Sequence, residues 1–225
     1  MSVAVISACY GLYDAIKPAP EQDYEGDIDW ILVTDEPDIE APGWKVIVER
    51  RPHVHPNVAA KIPKLFPIEY TDADVSIWAD ASSLIKTGFV SRVVSKTLES
   101  EHGWAMFPHP NRTKITDEVT ASRGLPKYDD MDLEGQVAHY VNAMGYPNGK
   151  SLWATGIIGR RSRSMEDDTM IVTIGNDWMR EIVRWSFQDQ LSFPYVAWNN
   201  DLKINPIDVD LWSNDVVWFD GHGRQ

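Results

Sequence analysis

Val75-Ser76-Ile77-Trp78-Ala79-Asp80-Ala81-Ser82 is the stretch on which the reading of this chain turns. Five residues rich in β-branched and aromatic character run straight into a carboxylate, the pattern of a buried strand that carries one acid to its exit. Similar runs stand before it. Residues 3–8 (VAVISA) end at Cys9-Tyr10-Gly11, residues 30–33 (WILV) are closed by Thr34-Asp35-Glu36-Pro37, and residues 44–48 (WKVIV) follow Pro42-Gly43. Between and after these strands the spacing turns helical. Asn57 to Tyr70 predicts a helix broken or kinked at Pro63 and Pro67, and Phe89, Val90, Val93, Val94 and Leu98 share one helical face.

Further along, Trp104 to Phe107 predicts a strand, Thr116 to Arg123 and Leu133 to Met144 predict helices, and Trp153 to Ile158 predicts another strand. Met165-Glu166-Asp167-Asp168 reads as a surface loop before a helix over 176–187. A second helical segment lies around Pro194, and short strands at 203–205 and 216–219 finish the sheet. This alternation predicts one α/β domain over residues 1–225, with a mixed, mainly parallel sheet flanked by helices. Ligands of such sheets lie beyond the carboxyl ends of the strands, which directs attention to Tyr10, Asp35 and Asp80.

Composition limits the function classes. The chain has 225 residues, 21 Lys and Arg against 34 Asp and Glu, a net charge of −13, and 43% hydrophobic content. That acidic excess disfavours a dedicated nucleic-acid or anionic-membrane binder, and the composition is that of a globular protein. Cys9 is the only cysteine, so neither an internal disulfide nor a cysteine metal cage can form. The opening residues MSVAVISACYG are apolar but short and lack a basic leader, so neither a signal peptide nor a membrane span is expected and the expected compartment is the cytoplasm.

Asp80, fixed at a strand exit, suits a hard cation that bridges phosphates; a turn or helix-cap aspartate is the alternative. Lys61 and Lys64 lie three residues apart on one helical face and suit a diphosphate, or stand as ordinary solvated lysines. No G-x-G-x-x-G or P-loop sequence is present. Asp189 is a candidate for the carboxylate at a reacting carbon, with a helix N-cap as the alternative. His109, Arg112 and Glu118 offer a polar set for substrate hydroxyls or a surface cluster, Trp153 a stacking face for a sugar, and Arg160-Arg161-Ser162-Arg163 a basic patch or a loop answering the nearby acids.

Taken in order, Ile6-Ser7-Ala8-Cys9-Tyr10-Gly11-Leu12-Tyr13-Asp14, Val33-Thr34-Asp35-Glu36-Pro37, Lys61-Ile62-Pro63-Lys64-Leu65-Phe66-Pro67, Ser76-Ile77-Trp78-Ala79-Asp80-Ala81, His109-Pro110-Asn111-Arg112 and Ser186-Phe187-Gln188-Asp189-Gln190-Leu191-Ser192-Phe193 carry a resemblance. The chain resembles, over nearly its whole length, the glycosyltransferase-like domain shared by plant mucilage-biosynthesis proteins and by bacterial and phage proteins. The resemblance implies a GT-A fold and transfer of a sugar from a nucleotide-diphosphate donor, most often a UDP-sugar in similar folds, to a glycan, protein or small-molecule hydroxyl. It places Tyr10, Gly11, Asp14 and Asp35 at the nucleoside and Lys61, Lys64 and Asp80 at the diphosphate. Asp189 then stands at the sugar, and His109, Arg112, Glu118 and Trp153 at the acceptor. It also implies Mn²⁺ or Mg²⁺ on Asp80 and a late histidine, for which His222 is the candidate, although Ser82 replaces the usual second aspartate. That replacement motivates the alternative of a nucleotide-sugar or glycan-binding module without turnover.

Overall fold

The computed structural model describes residues 1–149, 152–209, 214 and 216–219. Strand β1 (Val3–Cys9) is buried along its length, and the two-residue period of a strand divides it between two cores. Ala4, Ile6 and Ala8 face one, Val3 and Val5 the other. Around it assemble β2 (Ile28–Thr34), β3 (Lys45–Val48) and β4 (Val75–Ala79), all parallel. Helices α1 (Pro56–Ala59) and α2 (Lys61–Leu65) lie between β3 and β4.

The rest of the chain adds β5 (Ser83–Ile85), α3 (Phe89–Glu99), β6 (Trp104–Pro108), α4 (Ile115–Ser122), α5 (Leu133–Ala138), β7 (Trp153–Arg161), α6 (Met165–Arg184), α7 (Asp189–Asn199), β8 (Ile204–Pro206) and β9 (Val217–Phe219). The main sheet runs β3-β2-β1-β4-β7-β6-β8. It is mixed and mostly parallel, since only β7 runs against both of its neighbours. The expected strand at 216–219 does not finish this sheet, because β9 pairs instead with β5 in a separate antiparallel pair. The expected α/β class is the observed one.

Helix α3 covers one face of the sheet with Phe89, Val90, Val93 and Val94, as their spacing predicts, whereas Leu98 is exposed. Helices α2, α6 and α7 cover the other, around Trp78, Trp178, Leu191 and Phe193. Gly175 in α6 makes this possible. A Cβ there would sit 2.8 Å from the Leu65 carbonyl oxygen, so only glycine lets α2, with its two lysines, lie directly against α6.

Two expectations about helices are corrected. The segment 57–70 is broken before Pro67, as expected, but not at Pro63: it forms α1, α2 and a 3₁₀ turn at Pro67–Glu69, divided at Ala60 and Phe66. Pro63 fits inside α2 because first-turn amides need no helical partner. Met165–Asp168 is not a loop but the first turn of α6: the Ser164 hydroxyl accepts the Asp167 amide, and three carboxylates meet the positive end of the helix.

The basic cluster does not form a free patch. Arg161 pairs with Asp167, Arg163 lies 3.8 Å from Asp74, and Arg160 is buried beneath the Trp104 ring. None of the three Arg160 guanidinium nitrogens has a hydrogen-bond partner among the described residues, and burial pushes its pKa down to about 9. An unpaired buried cation costs more than an apolar side chain of similar length. Arg160→Met should therefore raise the melting temperature, by an amount corresponding to about 1–3 kcal/mol; a thermal melt that falls instead would place an unseen partner at this guanidinium.

Candidate functional site

Strands β1 and β4 end side by side, and a cleft of about 540 Å³ opens beyond their carboxyl ends. The third wall comes from β7. Its register with β6 jumps from Met106↔Ile158 to Phe107↔Ala154, so Thr155–Ile157 bulge and Thr155 and Gly156 reach the cleft. The Gly156 carbonyl accepts the Asp80 amide at 2.9 Å, tying the strand exit to that bulge.

At the base of the cleft lies a cluster of four opposite charges. Asp189 Oδ2 accepts from Lys61 Nζ at 2.8 Å and from Lys64 Nζ at 2.5 Å, while Lys64 Nζ also stands 3.5 Å from Asp80 Oδ1. The Trp78 indole donates to the same Asp80 oxygen at 2.6 Å. Burial alone would raise the Asp189 pKa, but the two ammonium charges and their hydrogen bonds outweigh it and hold the carboxyl well below the usual range. Desolvation lowers Lys61; for Lys64 the opposing charges of Asp189 and Asp80 overcome desolvation and raise it. Asp189 is the first residue of α7 with Gln188 at the cap, so its carboxylate serves the lysines instead of capping the helix.

The opposite wall is a second polar network, carried by α4 and the loop after β6. Glu118, almost fully buried, accepts from Arg112 Nε at 2.6 Å and from Gln188 Nε2 at 3.0 Å. Gln188 also donates to Ser122 at 2.9 Å and accepts from the Tyr128 hydroxyl at 3.1 Å. His109 Nδ1 accepts the Asn111 and Arg112 amides, and its Nε2 lies 3.1 Å from Arg112 Nη2 and 3.6 Å from Glu118. Desolvation lowers the His109 pKa against the opposing pull of Glu118, so the ring is neutral at pH 7.

Eight residues expected from the sequence line this one cleft: Tyr10, Asp14, Lys61, Asp80, His109, Arg112, Glu118 and Asp189. Four others do not. Asp35 accepts the Gly11 amide at 2.9 Å, so the pair holds the turn after β1, where Gly11 and Leu12 have φ of 65° and 52°, instead of facing the cleft. Lys64 lies beneath the floor with 1% of its side chain exposed. Trp153 pairs with Pro108 and packs on the core, while its neighbours Ala154 and Thr155 reach the cleft. His222 lies outside the described residues. Sequence reading missed Trp78 as a donor and Ser122, Tyr128 and Gln188 as network members; only Gln188, beside Asp189, carried a signal.

The described residues do not fit a protein-held divalent ion. Asp80 has one oxygen engaged by Trp78 and Lys64, Ser82 stands where a second acid would serve, and no group of three His, Cys, Asp or Glu side chains among the described residues is placed to ligate a metal.

The family described as TOD1/MUCI70, glycosyltransferase-like domain, matches residues 32–216. The block containing Tyr10, Gly11 and Asp14 precedes that stretch. Among solved structures, the WbbM bifunctional glycosyltransferase in its apo form is similar, with a TM-score of 0.51 and 13% identity over 91% of this chain. This chain spans 38% of that longer one, and the likeness is one of fold. No curated protein matches. Among the described residues, no helix is long and apolar enough to cross a membrane.

Proposed function

Because the chain belongs to the TOD1/MUCI70 glycosyltransferase-like family, we propose that it transfers a sugar from a nucleotide-diphosphate donor, a UDP-sugar by preference, to a hydroxyl of a glycan, protein or small molecule. The observation that carries this reading is the convergence of a floor of paired lysines and aspartates and a polar wall on one cleft at the carboxyl ends of β1 and β4. In this reading Tyr10, Tyr13 and Asp14 receive the nucleoside, Lys61 meets the diphosphate, and Arg112 with its Glu118 network borders the acceptor. Asp35 and Gly11 act by fixing the turn that carries Tyr10.

Asp189 stays ionised because two lysines neutralise it, so it is a weak proton acceptor. Its geometry supports a fixed negative charge facing the positive charge that develops on the sugar as the glycosidic bond breaks. The cytoplasmic setting expected from a lone cysteine belongs to the same proposal, as does a single working unit over residues 1–225. The basic cluster, spent on Asp167 and on burial, gives no support to a nucleic-acid acceptor.

A ligand of the native state raises its melting temperature by mass action. Thermal shifts with UDP, GDP, CDP and a sugar control should therefore single out one nucleoside diphosphate, with UDP expected. Product analysis with the corresponding sugar nucleotide then separates transfer from hydrolysis. Donor binding without either product would favour the non-catalytic module that Ser82 suggests.

A further inference from the structure

We infer that Lys61, held in place by the Asp189–Lys64–Asp80 cluster beneath it, supplies at the donor diphosphate the cationic contact expected of a divalent ion, so that nucleotide binding here does not require Mn²⁺ or Mg²⁺. The inference rests on the nucleotide-sugar reading of the same cleft. A diphosphate brought to this floor needs cations whose positions are already set, and the fold supplies two on one short helix. Gly175 lets that helix lie against α6, and Asp189 at the start of α7 accepts from both ammonium groups.

The two lysines divide the work. Lys61 lines the cleft with 16% of its side chain exposed, and an ammonium with three N–H donors that gives one to Asp189 keeps donors for an anion. Lys64 is sealed below, between the Trp78 and Trp178 rings at 5.6 and 6.0 Å. Its charge is screened little by solvent there, and the two aspartates keep it protonated against desolvation. Asp80, the residue most suited by position to ligate a metal, holds Lys64 instead, and the Trp78 indole fixes the engaged oxygen. The aspartate at the strand exit is thus turned from an ion ligand into a positioning group for an internal cation. Ser82 agrees with this arrangement, since a second acid there would add uncompensated negative charge beside the diphosphate.

Calorimetric titration of the full chain with UDP, GDP and CDP, in EDTA and separately with Mn²⁺ or Mg²⁺, tests this directly. The expected result is one nucleotide bound with the same affinity, within about twofold, in EDTA and in metal. Lys61→Ala should weaken that binding by roughly 10- to 100-fold, as expected for loss of a charge-assisted hydrogen bond, and Lys61→Arg should restore most of it. Lys61 is the informative position because Lys64→Met risks misfolding. Binding that appears only with metal overturns the inference and leaves the transferase proposal intact. Metal-independent binding that Lys61→Ala leaves unchanged overturns the role of the lysines. Absence of binding to every nucleotide in all conditions overturns the nucleotide-sugar reading itself.

Discussion

Asp189→Asn should lower the melting temperature by roughly 6–20 °C and reduce sugar transfer by about 10²–10³-fold. The first figure follows from leaving two ammonium groups without their shared partner. Breaking a buried ion pair from one side costs about 3–5 kcal/mol, and each kcal/mol moves the melting point of a domain this size by about 2–4 °C. Only 9% of the Asp189 side chain and 1% of Lys64 are exposed, so solvent compensates little. The second figure is the effect of removing one fixed electrostatic contact to a developing charge. Circular dichroism below the melting transition separates the two effects, because a folded Asp189→Asn protein with wild-type transfer rates would remove Asp189 from the reaction.

The same substitution has a pH signature. The folded pKa of Asp189 lies below its unfolded value of about 3.9, so the stability it contributes is complete above about pH 5 and is lost as pH falls through the folded pKa. Melting temperatures of wild type and Asp189→Asn should therefore differ most above pH 5 and converge on acidification below about pH 4. Curves that stay parallel down to pH 2 would show that the aspartate titrates normally in the folded protein.

The strands and the cleft were legible in the sequence for one reason: β1 and β4 are buried on both faces, so they appear as apolar runs interrupted only by Ser7 and Ser76, and their exits are marked by Tyr10 and Asp80. The partners of those exits were harder to read. Lys61 and Lys64 were identifiable as a pair, but that Asp189 binds both depends on packing α2 against α6 and α7, 125 residues away in sequence for Lys64. Asp35 carries the same signal as Asp80, a carboxylate after a strand, yet its neighbour offers a free backbone amide at Gly11, and a turn is what results. Tyr128 and Ser122 had no local mark, since a 3₁₀ turn and the end of a short helix acquire their role only through Gln188. The start of α6 was misread because its three acidic residues suggested a solvated loop, whereas behind a Ser164 cap such residues favour a helix N-terminus.

Glu118→Gln should have the second large effect, a fall of about 6–12 °C in melting temperature, together with a weakened acceptor interaction. Glu118 receives N–H or O–H groups from Arg112, Gln188 and Ser122. An amide in its place brings two donors into a site built only of donors, so at least one contact becomes donor against donor. Because Arg112 keeps 29% of its side chain exposed and can be hydrated, the cost should lie at about 3 kcal/mol, the low end for a broken buried pair. His109 reports the change independently: Glu118 is the charge that raises its pKa, so its imidazole titration, followed by NMR, should move further down. The effect should also reach the floor of the cleft. Gln188, whose side chain bonds Glu118, directly precedes Asp189 at the N-cap position of α7, so Glu118→Gln and Asp189→Asn should be non-additive in a double-mutant cycle by about 0.5–3 kcal/mol. Strict additivity would mean that the polar wall and the charged floor stand as separate structures on two sides of one cleft.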